Sequence, residues 1–459
     1  MSAYTRLASS VLFPLHERLK RHDSVAVRRR LERSQWLPRA AIEAEQLQRL
    51  RLFLLDIGTN VPFYKALFAR VNFAPEALNS LDDLSRLPLL TKSDIRTAGA
   101  TLLASDHGPV SRYNTGGSSG EPLIFYIGKQ RKSHDVASKW RATRWWGVDI
   151  GDREAVVWGS PIELGTQDRV KHLRDALFRT WLLPAFEMNE ARLDGFLDNI
   201  RQRRPAMLFG YPSALSLMAS HAIKHGLAMN GLGIKVVFVT SERLYDHQRE
   251  LIERVFGCPV ANGYGGRDAG FIAHQCPAGS MHVTAEDIVV ELVDGQGRQV
   301  NPGEVGEVVI THLASRDFPF VRYRTGDMAV ADESPCACGR GLPRLKEIQG
   351  RSTDFVVAAD GTVMHGLALI YVIRDLPGVS RFRIVQHTLQ RTQVQLEAEP
   401  GQDISQHFEA IQTAFKQRLG PNVVVDVGVV ERLDSEKSGK FRFVVSHVDA
   451  TRSTAGVSA

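Results

Sequence analysis

The sequence predicts an α/β protein built as a large amino-terminal domain over 1–350 and a small α+β domain over 351–459. Three observations carry that prediction. Between residues 154 and 260, short apolar runs alternate with helical segments, as buried parallel strands and their covering helices do. From Met281 the texture changes to period-two alternation broken by turns, which predicts an antiparallel, barrel-like subdomain. After Gly350 a second set of strands and helices begins, about a hundred residues long. At 459 residues the chain exceeds one ordinary core, so more than one domain is expected.

Residues 1–105 read as amphipathic helices; "AAIEAEQLQRLRLFLLDIG" sets Leu47, Leu50, Leu54 and Leu55 at helical spacing. "EAVVWGS", "AMLFG" and "IKVVFVTSE" are the strand candidates, and "NEARLDGFLDNIRQRR" and "YPSALSLMASHAIKHG" the helices between them. "MHVTAEDIVVELVDGQGRQVNPGEVGEVVITHL" supplies the antiparallel strands. In the last unit "TDFVVA", "RFRIVQH", "QVQLEAE" and "VVVDVGVV" read as strands, with helices in "GLALIYVIRDL" and "DISQHFEAIQTAFKQRLG". The second helix aligns Ile404, Phe408, Ile411, Phe415 and Leu419 and stops at Gly420-Pro421.

Hydrophobic residues make up 43% and charged residues 24% of the chain, values of a globular protein rather than a disordered one. The net charge of +6 owes much to "HERLKRHDSVAVRRRLERSQWLPR". A run of this kind suits a membrane surface or nucleic acid, but a solvated helix face is its commoner cause. The solvated face is the reading adopted, with no nucleic acid as partner and at most weak contact with a membrane surface. No apolar run reaches the ~20 residues that span a bilayer. The charges in "LASSVLFPLHERLKR" follow the apolar patch instead of preceding it, so it does not read as a secretory signal. A cytoplasmic location is expected.

"YNTGGSSGEPLIFY" concentrates glycines and hydroxyls over Thr115–Gly120. Such a loop can aim successive backbone N–H groups at one anion. It is not a Walker A loop, because Glu121 and Pro122 stand where Lys and a hydroxyl are required. Nor is it a dinucleotide fingerprint, because Leu123–Ile127 reads as a strand where a helix should open. Two readings stand: a hydroxyl-rich loop between strands that closes over a nucleotide triphosphate, and an ordinary flexible hairpin.

Four further motifs follow in order. "NGYGGRDAGF" sets an aromatic, glycines and Asp268 after a predicted strand end, where open α/β sheets bind ligands. "RYRTGD" brings Asp327, "GRSTDF" brings Arg351 and "SEKSGKFRF" brings Lys440. Taken together, "TGGSSGEP", "YGGRDAG", "YRTGD", "GR" and "SGK" resemble the adenylate-forming superfamily. The likeness is to its phenylacetate-CoA ligase-like group and to the branch encoded with capsular and exopolysaccharide genes, and it runs from "VPFYK" to the Lys440 segment.

The resemblance implies ATP-dependent activation of a carboxylic acid to an acyl-adenylate, with transfer to coenzyme A or to an amine or hydroxyl acceptor. It implies a phosphate loop of Thr115, Gly116, Gly117, Ser118, Ser119 and Gly120, and a ribose site of Asp327 and Arg351. Tyr264 and Gly265 would line the adenine and acyl sites. Asp268 stands where the family usually has a glutamate beside Mg²⁺, one methylene and about 1.5 Å shorter. Lys440, carried by a mobile small domain, would meet charge at the α-phosphorus, a contact whose loss costs on the order of 10²- to 10³-fold in rate. At the hinge Thr353 replaces the common acid, with Asp354 beside it.

Cys276, Cys336 and Cys338 with His282 offer three thiols and an imidazole for tetrahedral Zn²⁺ in a structural site, with His274 as the substitute for His282. Reduced thiols of a cytoplasmic protein are the alternative. Cys258 lies outside the cluster and reads as a buried cysteine. Aromatic residues Tyr211, Phe238 and Tyr264 suit either an aromatic acid or the core. Two other functions remain open: a non-catalytic nucleotide-binding protein, favoured by Arg267-Asp268 and Thr353, and transfer of AMP to a non-carboxylate cofactor.

Overall fold

The computed structural model describes residues 2–114, 123–158, 169–185, 187–242, 244–349, 355–374, 376–433 and 443–448. Helices fill the amino-terminal hundred residues. The longest, Arg39–Asn60, buries Ile42, Leu50, Phe53, Leu54 and Ile57 and breaks at Val61-Pro62. Val61 is extended, as a residue before proline prefers, and Pro62 opens the next helix, Pro62–Arg70, where its missing N–H costs nothing.

Strands β1 (Ser111–Asn114) and β2 (Ile124–Ile127) pair antiparallel, with residues 115–122 between them. Next come β3 (Glu154–Trp158), β4 (Thr180–Pro184), the short β5 (Glu187–Met188), β6 (Met207–Gly210), β7 (Val236–Thr240) and β8 (Val260–Gly266). Except for β5 these strands run parallel, and every residue of β6 and β7 is buried, as strands covered on both faces must be. Helix Glu190–Arg203 starts at Asn189, whose side chain accepts the Arg192 N–H, and helix Asp246–Phe256 stops at Gly257 with φ +65°.

The direction reverses after β8. Antiparallel strands β9 (Gly270–Gln275), β10 (Met281–Val283), β11 (Ile288–Val293), β12 (Val305–His312), β13 (Tyr323–Asp332) and β14 (Arg344–Gln349) continue the same sheet. Its order is β11-β12-β13-β14-β10-β9-β8-β7-β6-β3-β4. The antiparallel region is thus hydrogen-bonded onto the parallel one.

A smaller carboxyl-terminal domain follows. β15 (Phe355–Val357) and β16 (Val363–His365) form a sheet with β5. β17 (Val379–Thr388), β18 (Arg391–Ala398), β19 (Val424–Val429) and β20 (Val444–Ser446) form another in the order β19-β18-β17-β20. Phe382, Ile384, Val394 and Leu396 meet Ile411, Phe415 and Leu419 of helix Phe408–Leu419 in a core of their own. Ile404 joins that core from just before the helix.

Charge is buried where the amino-terminal helices meet the sheet. Arg141 is 1% exposed, and it donates to Glu286 Oε1 at 2.6 Å and to the Leu31 carbonyl at 3.2 Å. Asp287 pairs with both Arg30 and Arg49. A buried carboxylate between two guanidinium groups fixes the approach of the helices, because without them Asp287 would be a buried, uncompensated charge.

Candidate active site and candidate metal centre

The carboxyl ends of β6, β7 and β8 lie side by side and carry "FGYPS", "VTSE" and "NGYGG". This is the edge at which open α/β sheets take ligands. β8 turns into β9 through Gly266–Ala269, and two glycines make the close turn possible. A Cβ on Gly265 would stand 2.0 Å from the Gly270 carbonyl oxygen, and Gly270 has φ +79°. The Asp268 carboxylate is held over the turn, where its Oδ1 accepts from the Ala269 N–H at 3.1 Å.

Two tyrosines and two aspartates are interleaved there. Tyr264 donates to Asp327 Oδ2 at 3.1 Å, and Tyr323 donates to Asp268 Oδ2 at 2.6 Å. Tyr264 and Asp268 come from β8 and its turn; Tyr323 and Asp327 come from β13. In the sheet order β13 and β8 are separated by β14, β10 and β9, which in a flat sheet would hold them about 19 Å apart at ~4.8 Å per strand. Two direct side-chain links therefore require the antiparallel strands to curl over the end of β8. Sheet twist and β-bulges, such as the one in the β13–β14 pairing at Val330/Ala331, are the means by which a sheet curves.

Buried arginines hold both partners. Arg322 precedes Tyr323 with φ +52°, an uncommon conformation for a side chain of this size, and is 3% exposed. It pairs with Glu291 at 2.9 Å and donates to the carbonyls of Ser85, Leu87 and Gly297. Burial pushes the Glu291 carboxyl up, against the pull of Arg322. Arg131 is also 3% exposed and donates to the carbonyls of Asp268 at 3.2 Å and Arg267 at 3.4 Å, with Asp135 and Ser315 as its other partners. Arg267 reaches the Asn114 carbonyl at 3.3 Å, which joins the Asp268 turn to the point where β1 leads into residues 115–122.

The structure thus brings Tyr264, Gly265, Asp268 and Asp327 of the sequence-predicted site together. Thr115, Gly116, Gly117, Ser118, Ser119, Gly120, Arg351, Thr353, Asp354 and Lys440 lie outside the described residues. Sequence reasoning missed Tyr323, Arg131 and Trp158. Trp158 ends β3 and stacks on Tyr211 with centroids 4.3 Å apart and planes at 23°. An aromatic at the end of a predicted parallel strand was the available signal; Arg131, inside a helix, left none. Phe238 is fully buried against Phe209, so it belongs to the core and not to an acid pocket.

On the far side of β8, Cys276, His282, Cys336 and Cys338 present ligand atoms that all lie within 4.8 Å of one another. Cys276 Sγ and Cys336 Sγ are 3.7 Å apart, close to the ~3.8 Å edge of a tetrahedron with ~2.3 Å zinc–sulfur bonds. His282 turns Nδ1 toward the Leu342 carbonyl at 3.4 Å and Nε2 toward Cys338 Sγ at 3.2 Å, the arrangement that frees Nε2 as a ligand. Burial lowers the His282 pKa to about 4, which keeps the ring neutral. Burial raises the Cys276 thiol to about 12. Cys336 feels the same burial, but hydrogen bonds from Ser280, Cys338 and Cys276 outweigh it and bring it to about 7. His274, opposite His282 in the β9–β10 pairing, packs instead on Phe271 at 5.3 Å. Cys258 is buried outside the cluster, with its thiol pushed up to about 12.

Residues 356–447 match the family model for the CapK C-terminal domain. Over 406 residues the chain is 23% identical to Protein CapK of Staphylococcus aureus, covering 88% of this chain and 89% of that one. It is 24% identical over 418 residues to phenylacetate-coenzyme A ligase of Thermus thermophilus, covering 86% and 92%. Among solved structures, 2-hydroxyisobutyryl-CoA ligase in complex with 2-HIB-AMP and CoA shares the fold with a TM-score of 0.65 at 20% identity, over 92% of this chain and 93% of that one.

Proposed function

This chain is a homologue of Protein CapK and of the phenylacetate-coenzyme A ligases, and from that premise we propose that it is an AMP-forming acid ligase. A substrate carboxylate oxygen attacks the α-phosphorus of ATP. The bond from that phosphorus to the bridging oxygen breaks, giving acyl-AMP and pyrophosphate, and the acyl group passes to coenzyme A or another nucleophile with AMP as leaving group. The observation that carries the reading is the reciprocal pair Tyr264–Asp327 and Tyr323–Asp268, which sets two carboxylates at the ligand edge of the sheet.

Asp327 has two acceptor oxygens, the chemistry that holds a pair of ribose hydroxyls. Asp268 accepts from Tyr323 on Oδ2 and from the Ala269 N–H on Oδ1, and each oxygen keeps a lone pair for a hard cation. Mg²⁺ bound there would neutralise phosphate charge. Arg131 holds the Asp268 turn by its backbone carbonyls, so the shorter carboxylate gains a fixed base. The assignments of the Thr115–Gly120 loop to phosphate, Arg351 to ribose and Lys440 to the α-phosphorus, and of 1–350 and 351–459 as the two moving bodies, belong to the same proposal. So does Zn²⁺ as a structural metal on Cys276, His282, Cys336 and Cys338, supported by the donor set and its spacing. An acyl or aminoacyl group destined for a sugar or polymer precursor is also part of the proposal, and it rests on the sequence resemblance to the branch encoded with capsular and exopolysaccharide genes.

ATP–pyrophosphate exchange over a panel of aryl and aliphatic acids tests the function. Exchange with one acid, falling on the order of 10²- to 10³-fold in Lys440→Ala, is expected. ATP binding without exchange for any acid would instead make the chain a nucleotide-binding protein.

A further inference from the structure

Residues Ala3–Leu19 form a helical run on which Leu7, Val11, Leu15 and Leu19 point away from the core. Thr5, Ser9, Phe13 and Glu17 are buried, and Phe13 packs edge-on against Trp140 at 5.0 Å and Phe178 at 5.4 Å. Two residues further on in each case stand Leu7, Val11, Leu15 and Leu19, about 200° round a helix of 3.6 residues per turn. They are 47%, 52%, 55% and 77% exposed. A four-residue step in an α-helix overshoots the turn by about 40°, which would wind such a stripe round the helix. Here residues Ala8–Leu12 form a wider π-turn, which turns less per residue and keeps the four side chains closer to one line. The neighbouring helix Arg169–Leu177 adds exposed Leu173 and Leu177, and Tyr4 ties the two together by donating to the Leu177 carbonyl at 2.6 Å.

Charge says what covers this face. Arg6, Arg18, Lys20 and Arg21 are exposed. The acid between residues 2 and 22 is Glu17, which is 3% exposed and holds Ser24 at 2.5 Å and the rings of His16 and His22. The outer surface of residues 2–22 is therefore aliphatic with cations beside it and no exposed carboxylate, and the acids next to it, Asp23 and, on helix Arg169–Leu177, Asp175, are paired with Lys129 and Arg174. This is the pattern of a helix that lies in a bilayer interface over anionic headgroups. None of the described helices is long and apolar enough to cross a membrane.

We infer that the Leu7–Val11–Leu15–Leu19 face, with its flanking cations, docks the protein on an anionic phospholipid surface. The full chain should sediment with phosphatidylcholine vesicles containing phosphatidylglycerol and stay in solution with phosphatidylcholine alone, and added salt should weaken the binding. In Leu15→Glu/Leu19→Glu, and separately in Arg18→Glu/Lys20→Glu, the bound fraction should fall on the order of tenfold. Circular dichroism would show that both variants remain folded, so that lost binding is not lost structure. The inference is overturned if the wild type ignores anionic vesicles, or if Leu15→Glu/Leu19→Glu binds as well as wild type. A wild-type dimer that this variant converts to monomer, seen by light scattering, also overturns it, because the stripe would then join two copies of the chain.

Discussion

Tyr323 supplies one hydroxyl to Asp268 and one aromatic face to Phe320, with centroids 4.8 Å apart. Tyr323→Phe keeps the ring and removes the hydroxyl, so the fold should survive while the carboxylate loses its orientation. A hydrogen bond to a charged group contributes ~1.5–3 kcal/mol, so exchange activity at low Mg²⁺-ATP should fall about 10- to 100-fold. Unchanged exchange in a folded variant would remove Tyr323 from the site. Asp268 and Asp327 were legible in the sequence because each sits in a glycine-marked motif. Tyr323 stood inside "RYRTGD" unremarked, since nothing local says that its hydroxyl meets a residue 55 positions away. Phe238 shows the opposite limit: an aromatic in an apolar run suits pocket and core alike until burial decides it.

The turn between β9 and β10 and the loop after β13 are separate elements that four ligands would fasten together. Elemental analysis should find one zinc per chain. Cys336→Ser should lose it and unfold at lower temperature by several degrees, as a domain does when it loses one to a few kcal/mol. Wild-type protein that carries no metal as isolated, and that gains no stability over the variant when zinc is added, would leave the thiols as ordinary reduced cysteines. The three cysteines were conspicuous in the sequence because so few occur. The choice between His282 and His274 was not, because the two stand directly opposite on paired strands and share a sheet face. Leu342, whose carbonyl lies by His282 Nδ1, and Phe271, which takes the ring of His274, separate them. Helix Phe408–Leu419 was read with nearly its final face, since a 3.6-residue period and a terminal glycine are local signals.

At the scale of the whole molecule, acid should unfold the protein by protonating what it buries. His312 is fully buried, and its pKa is held well below the ordinary 6.5, first by burial and then by Arg131 and His134. The unfolded chain binds a proton there near pH 6.5 and the native chain does not, so this contribution is complete above that pH and is lost as the pH falls below it. Urea unfolding between pH 8 and 5 should show stability declining by up to ~1.4 kcal/mol per pH unit from this one group. His312→Asn should be less stable at pH 8 but flatter in its pH dependence. Parallel curves for the two proteins would rule the group out as a cause.

Sequence alone determined the order of motifs, the alternation of buried strands with helices, and the split into a large and a small unit, because periods of two and 3.6 residues and glycine or proline stops act within a few positions. Tertiary structure alone decided that the antiparallel strands extend the parallel sheet and curl until β13 meets β8. It also decided that Leu7, Val11, Leu15 and Leu19 face outward. Those outcomes depend on register and on twist summed over several strands, and on which helix face finds Trp140 and Phe178 to pack against, none of which a local pattern contains.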